Sequence, residues 1–459
     1  MHATPTTEST PRPKLRTPIL PGEPIIGHLR AFRRERLATQ LRAAAAGDVV
    51  RMRMGPFWLV ALNSAEAAHA LLVDHAGETK KSLGLGKFGR PLLGNGLLTS
   101  EHEFHKRQRK LLAPAFAPKR IAQYAGTMAT LTERAIARWR PGEEIDAAEE
   151  MMRLTLSIVG KTLFDADTEG DARVVGEALT DAMQYMMDSI TSLAALVLPY
   201  SFPTPANQKM RRAVAKLDEV IYRIIADRRA SGDVDRGDVL SVLIAARDED
   251  DGTGMTDAQM RDEAMTLMLA GHETTANLLA WSWYLLGTHP EAYSRVAEEV
   301  RAVCAGRTPT YENLPQIPFA LQVIKESMRL YPPAYLVVRE AERTFDVCGH
   351  TIKKGEVPFA NIFAIHRRPE YFPDPDGFHP ERFEPAREKA LPRGAYFPFG
   401  AGPRVCIGNH FATMEAQLVL ATIAQRVQFE LVSQRAPEPD PMVTLRPGGG
   451  VRVRVRPRV

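Results

Sequence analysis

Residues 268–281 read MLAGHETTANLLAW, placing a histidine, a glutamate and two threonines in succession inside an apolar run. A carboxylate beside hydroxyls in a dry setting can handle protons. A hydroxyl donates and accepts hydrogen bonds at once, and a carboxylate takes up and returns a proton. A buried carboxylate is costly unless it is paired or has a task. Glu273 and Thr274 are therefore the first candidates for chemistry. A zinc site of the H-E-x-x-H kind fails, because its second ligand position is Ala276. A bland alternative is a helix kink. Gly271 weakens a helix interior by ~1 kcal/mol relative to alanine, and the threonines can bond back to the preceding turn. These residues alone leave both accounts open.

A second constellation stands near the C-terminus in FPFGAGPRVCIGNHFATMEAQLVL, residues 397–420. Gly400, Gly402 and Gly408 surround Cys406 and let a loop bend tightly with close backbone approach. Cys406 falls where that loop meets a helix N-terminus, whose dipole and free N–H groups favour a thiolate. A thiolate in a rigid cradle suits a metal-bound sulfur. The commoner fate of a lone cysteine is a buried free thiol, and that leaves the glycines and Arg404 unexplained.

These groups need elements to position them. Thr256 and Gln259 form a capping box, and the helix it opens runs to about Gly287, before Thr288 and Pro290. That makes about 32 residues, or ~48 Å, enough to cross a whole domain. Its middle is apolar on nearly every face, which predicts burial. Upstream, the Pro/Gly-rich stretch 18–29 reads as extended, 30–46 as a helix, and 49–62 as a hairpin around Gly55-Pro56. From there to about residue 330 the patterns are helical. No internal repeat or linker divides the chain, so we expect one domain over 18–459 behind a flexible leader, 1–17. The chain has 459 residues, of which 44% are apolar, and carries a net charge of +4. This is too mildly basic for a nucleic-acid binder, though a concentrated basic face would suit an acidic protein. Three cysteines, Cys304, Cys348 and Cys406, point to a reducing compartment without a disulfide framework. The N-terminus lacks a signal peptide's apolar segment, and no apolar run reaches the ~18 residues of a membrane span. A cytoplasmic location without a membrane anchor is expected.

Phe399-Gly400-x-Gly402-x-Arg404-x-Cys406-x-Gly408 resembles the haem-binding loop of the cytochromes P-450. Three more stretches match that family in its order. Ala270-Gly271-His272-Glu273-Thr274-Thr275 resembles its oxygen-binding stretch. Glu326-Ser327-Met328-Arg329 resembles its E-x-x-R, which alone is an (i, i+3) ion pair worth a few tenths of a kcal/mol. Phe378-His379-Pro380-Glu381-Arg382-Phe383 resembles the segment whose arginine, here Arg382, completes an ion-pair triad.

The resemblance implies a mainly α fold: a large helical domain, a long central oxygen-binding helix, and a small β-rich subdomain near the N-terminus. It implies haem b with Cys406 as thiolate ligand to the iron, which favours O–O cleavage. Phe399, Gly400 and Gly408 would form the cradle. Ala270 and Gly271 would leave room for dioxygen, and Glu273 and Thr274 would carry protons toward it. His272 occupies the family's variable position and should point away from the iron, in a core or surface role. HEFHKRQRKLLAPAF (102–116) resembles the helix with a propionate-binding W-x-x-x-R. Here the tryptophan position is His105 and the arginine is Arg109. Arg404 and Arg339 join them as propionate contacts.

The activity so implied is that of a bacterial haem-thiolate monooxygenase. It would insert one atom of O2 into a hydrophobic small molecule, by hydroxylation or epoxidation. The variable segments 81–98, 181–190, 332–338 and 441–445 should line the substrate pocket. All are apolar and 181–190 is rich in adaptable methionine, so a fatty acid, terpenoid, steroid or polyketide would fit. Lys106, Arg107 and Lys110 should face an acidic ferredoxin or flavodoxin fed by an NAD(P)H reductase. A monomer is expected. Two competing readings are a partner-independent peroxygenase or isomerase of this fold and a non-catalytic haem gas sensor. The former tends to lack the acid–threonine pair, and the latter gives no reason for it.

Overall fold

The computed structural model describes residues 15–82, 84–168, 170–232, 236–246 and 252–458. Most of the expected leader, residues 1–14, lies outside them, as do Leu83 of the first pocket segment and the turn residues 248–251. The central helix runs Asp257–Thr288. Both halves of its capping box form: Gln259 N–H donates to the Thr256 hydroxyl (3.2 Å), and Thr256 N–H to the Gln259 side chain (2.8 Å). It ends before Pro290, the first residue of the helix Pro290–Cys304, where a missing N–H costs nothing. The central helix packs along Ala147–Phe164, with Pro318–Leu330 and Asn409–Arg426 also against it. Being covered on several sides, it is apolar nearly all round. Trp281 and Trp283 are fully buried. Trp281 stacks on Tyr331 at 3.8 Å and donates its indole N–H to the Leu445 carbonyl (3.1 Å).

The strands are β1 Val49–Met54, β2 Phe57–Leu62, β3 Thr79–Lys81, β4 Glu144–Asp146, β5 Val337–Ala341, β6 Phe345–Val347, β7 His350–Ile352, β8 Val357–Ala360, β9 Val427–Leu431, β10 Glu438–Pro441, β11 Leu445–Gly448 and β12 Arg452–Pro457. The main sheet has the order β1-β2-β8-β5-β3. The expected hairpin is β1–β2, turning at Gly55 with φ +58°. The other half of the chain supplies its middle, with β8 parallel to β2 and β5 antiparallel to β8, and β3 returns to close the far edge against β5. The β10–β11 hairpin seats against the central helix. The single helix expected over 30–46 is two, Leu29–Arg34 and Arg36–Ala46, broken at Glu35. Arg36 there turns inward and donates to the Pro441 carbonyl, tying the break to the C-terminal hairpin. Among the described residues, no helix is long and apolar enough to cross a membrane.

Candidate active site

The buried central helix opens at one place. Ala270 is exposed and Gly271 and Thr274 are partly so, while the residues before and after them are buried. Cys406 is also exposed, yet its thiol is pushed above its usual range, first by burial, with the Gly408 N–H and the Arg109 charge opposing. The Cys406 sulfur is thus within reach of a small molecule although protein crowds it. The loop does not by itself produce the thiolate expected from its position at a helix start, because desolvation outweighs the N–H and the arginine. A bound cation would have to favour it. Among the described residues no three His, Cys, Asp or Glu side chains converge as a metal site, so Cys406 stands as a single protein donor.

The loop is held on both sides. Gly400 and Gly402 have φ near +73° and +72°, which glycine adopts freely. A Cβ on Gly402 would lie 2.0 Å from the Leu72 carbonyl oxygen. Cys406 N–H donates to the Phe399 carbonyl (3.0 Å), and Arg109 donates to the Val405 carbonyl (2.8 Å). Gly408 has room for a Cβ at 3.8 Å from Phe116 and 4.0 Å from the Cys406 sulfur, so its contribution is its N–H. A recess of about 500 Å³ on the other side of the loop is lined by Leu72, Lys325, Arg393, Gly400 and Asn409. Neither Cys406 nor any central-helix residue lines it, so it is not the reaction cavity.

The cations expected at propionates come together, with one that sequence reasoning missed. Lys81, at the end of β3, is buried and donates to the Leu97 and Ser100 carbonyls (2.8 and 2.9 Å). Its pKa is lowered to about 7 by burial and then by Arg404 and Arg339. His105 is lowered to about 3 by burial and the charges of Lys81, Arg404, Arg109 and Arg339. Arg339 is lowered to about 10 by burial and Arg404. Arg404 pairs with Glu101. Five basic side chains thus crowd one wall with little acid among them. That is the donor set an organic dianion requires, and the two propionates of a haem fit it.

Gly271 also faces a neighbouring helix. Its missing Cβ would meet Val159 at 3.0 Å. The glycine thus also allows the close approach of Ala147–Phe164, while it borders the opening with Ala270 and Thr274. Thr274 bonds back to the Ala270 carbonyl (2.6 Å). Glu273 is 1% exposed. It accepts from Arg446 (2.8 Å) and from the Thr444 hydroxyl, both on the β10–β11 hairpin. No hydrogen bond joins Glu273 to Thr274 among the described residues, so a relay between them needs an intervening group. His272 is fully buried, lies against the Met152 backbone, and is lowered to about 4 by burial and then Arg446. It is a neutral core histidine. Thr275 faces the Asn409–Arg426 helix, where Glu415 is fully buried. Burial pushes Glu415 well above the carboxylate range, and Thr275 is the one group favouring its charged form.

The E-x-x-R pair is fully buried and bidentate, each contact being 2.7 Å. Arg382 approaches Glu326 at 3.4 Å. Arg329 also donates to the His366, Pro375 and Gly377 carbonyls. His366, another group missed from sequence, accepts from Phe397 N–H (3.1 Å) at the start of the cysteine loop. The pair therefore braces the segment that carries Cys406.

A family model described as Cytochrome P450 matches residues 18–451. The chain is 37% identical to "Cyclooctatin synthase" of Streptomyces melanosporofaciens, over 93% of each chain. It is also 37% identical to "Cyclooctat-9-en-7-ol 5-monooxygenase" of the same organism, over 88% of this chain and 87% of that one. "Pentalenene oxygenase" of Streptomyces avermitilis is 32% identical over 87% of this chain and 88% of its own.

Proposed function

The chain belongs to the cytochrome P450 family and is a haem-thiolate monooxygenase, and from that premise we propose that it oxidises a cyclic terpenoid hydrocarbon or alcohol with electrons from a separate ferredoxin. The observation that carries the reading is the opening of the central helix at Ala270 and Thr274, on a chain whose exposed cysteine is nevertheless crowded by protein. The substrate class is taken from the relatives, whose names carry a monooxygenase acting on cyclooctat-9-en-7-ol and an oxygenase of pentalenene. The methionines of the helix Ala172–Ile190 support an apolar, irregular substrate, Met183, Met186 and Met187 being buried there.

Haem, when bound, supplies the redox iron that activates dioxygen. Cys406 would hold it, and Lys81, His105, Arg109, Arg339 and Arg404 would hold its propionates. The Thr274 hydroxyl donates back to Ala270 and can turn to donate into the opening. Glu273 stands behind it as the group that takes up and returns protons. Lys106, Arg107 and Lys110 are exposed on the helix His102–Leu112 that also carries Arg109, which suits an acidic donor protein. Residues 18–459 would act as one catalytic domain.

Titrating the haem-loaded protein with cyclic terpenoid hydrocarbons and alcohols, fatty acids, steroids and polyketides tests the proposal. A spin-state shift in the Soret band should appear with the first class, followed by NADPH-dependent oxygenated product with added ferredoxin and reductase. A shift and product with fatty acids alone would overturn the substrate class.

A further inference from the structure

The β10–β11 hairpin reaches the central helix through a charged side chain in an otherwise apolar setting. Arg446 Nε and Nη2 each lie 2.8 Å from Glu273 Oε1. The Thr444 hydroxyl donates to the same oxygen and accepts from Asn277 Nδ2 at 3.0 Å, one turn along the helix. Glu273 is 1% exposed, and the Arg446 side chain is 17% exposed with Nη2 against the Met183 sulfur at 3.7 Å. Oε1 therefore takes two hydrogen bonds, from Thr444 and Arg446 Nε, and the ion-pair contact of Nη2, while Oε2 takes none of the described hydrogen bonds. A charge pair removed from water is held only where geometry and supporting bonds are good, and here both are.

We propose that Arg446 is the positioning residue for Glu273: it clamps Oε1 to the hairpin, holds the side chain as a carboxylate, and leaves Oε2 as the oxygen that exchanges protons. Oε2 takes a proton from a water molecule and releases one toward the Thr274 side, so the carboxylate is restored in each cycle. The hairpin also carries the segment 441–445, expected at the substrate. Seating of the hairpin thus links substrate fit to proton delivery. This inference rests on the proton-delivery reading of Glu273 and Thr274.

The test compares Arg446→Leu, Arg446→Lys and Glu273→Gln in the haem-loaded protein. Infrared difference spectra, each background against its own Glu273→Gln counterpart, read the state of Glu273 without turnover. The native protein should show carboxylate bands, Arg446→Leu a protonated carbonyl band, and Arg446→Lys carboxylate bands again. Peroxide brings its own protons. The ratio of NADPH-supported to peroxide-supported product should therefore fall about tenfold in Arg446→Leu, the scale for a residue that orients a reacting group, and recover in Arg446→Lys. If Arg446→Leu does not fold, Arg446→Gln gives the same comparison with the charge removed. An unchanged carboxylate band and ratio without the Arg446 charge, while Glu273→Gln lowers the ratio, overturn the inference alone. If Glu273→Gln leaves the ratio unchanged, the proton-delivery reading falls and this inference with it.

Discussion

Replacing Glu326 by glutamine asks how strongly the ion-pair helix braces the cysteine segment. Arg329 is fully buried and makes five hydrogen bonds, two to Glu326 and one each to the His366, Pro375 and Gly377 carbonyls. Glutamine keeps the shape but leaves a guanidinium charge in the core without its carboxylate. Breaking one partner of a buried pair costs about 3–5 kcal/mol, far above the few tenths of an exposed (i, i+3) pair. Arg329→Leu should cost more still. It strands the Glu326 carboxylate and also removes the donor from three carbonyls, at ~1–3 kcal/mol for each one left buried and unsatisfied. Arg382→Ala should cost least, about 1 kcal/mol or less, because its nitrogen lies 3.4 Å from Glu326 and makes no hydrogen bond there. The assay is urea unfolding followed by far-ultraviolet circular dichroism, with the Soret band of the reduced, CO-bound protein as a second channel. Since His366 receives the Phe397 N–H, both larger losses should also erode the thiolate form of that band. A cost below 1 kcal/mol for Glu326→Gln, or an Arg382→Ala cost above it, would refute the argument.

Cys406→His should abolish the thiolate-type Soret band and the NADPH-supported product, whereas Cys304→Ser and Cys348→Ser keep both. The reverse pattern would reassign the ligand. Thr274→Ala should keep NADPH consumption within a few-fold of native while product per NADPH falls sharply, and full coupling would make Thr274 a packing residue. Thr275→Ala is not a silent comparison, because Thr275 is the polar group facing Glu415. Reversing Lys106, Arg107 and Lys110 to glutamate should weaken ferredoxin-supported turnover and flatten its salt dependence, with little change when peroxide drives the reaction. An equal loss on both routes would indicate damage to the helix.

The central helix was legible from end to end because its signals are local: Thr256 and Gln259 at one end, Pro290 at the other. The cysteine loop was legible for a similar reason, its glycines and cysteine falling within ten residues. What the sequence hid was contact at long separation. Arg446 lies 173 residues from Glu273, and nothing around it marks a partner, although a lone cation after the apolar PMVTL was a usable hint. Lys81 joined the cation wall only through β3 pairing with β5, which places Lys81 opposite Arg339. Glu415 carries the same local sign as Glu273, a carboxylate in an apolar helix, but no recognised motif includes it. For Gly271, a glycine in a helix says only that a Cβ is unwelcome. Which neighbour crowds it is a tertiary fact, here Val159.

The cation wall records what it is built to receive. Lys81, His105 and Arg339 are all displaced toward their neutral forms, by burial first and then by neighbouring cations, Arg404 among them in each case. Carboxylates drawn among them reverse the mutual repulsion, so binding must raise each pKa and draw in protons. Lys81 decides where this is visible. Its folded pKa is about 7 against an ordinary 10.5. Between those values the unfolded chain holds the proton and the folded chain does not, so this group's contribution to stability rises with pH across that window. In the same window, loading the propionates restores the charge, and at pH 8 haem binding should take up as much as one proton at Lys81. Below about pH 6 the lysine is already charged and its uptake should vanish. His105, near 3, stays outside the window. Mixing haem with apoprotein in weak buffer containing a pH indicator measures the uptake, with Lys81→Met as the comparison. Equal uptake at pH 8 in both proteins would show that Lys81 does not sense the propionates, and the anion site would then rest on Arg109, Arg339 and Arg404 without it.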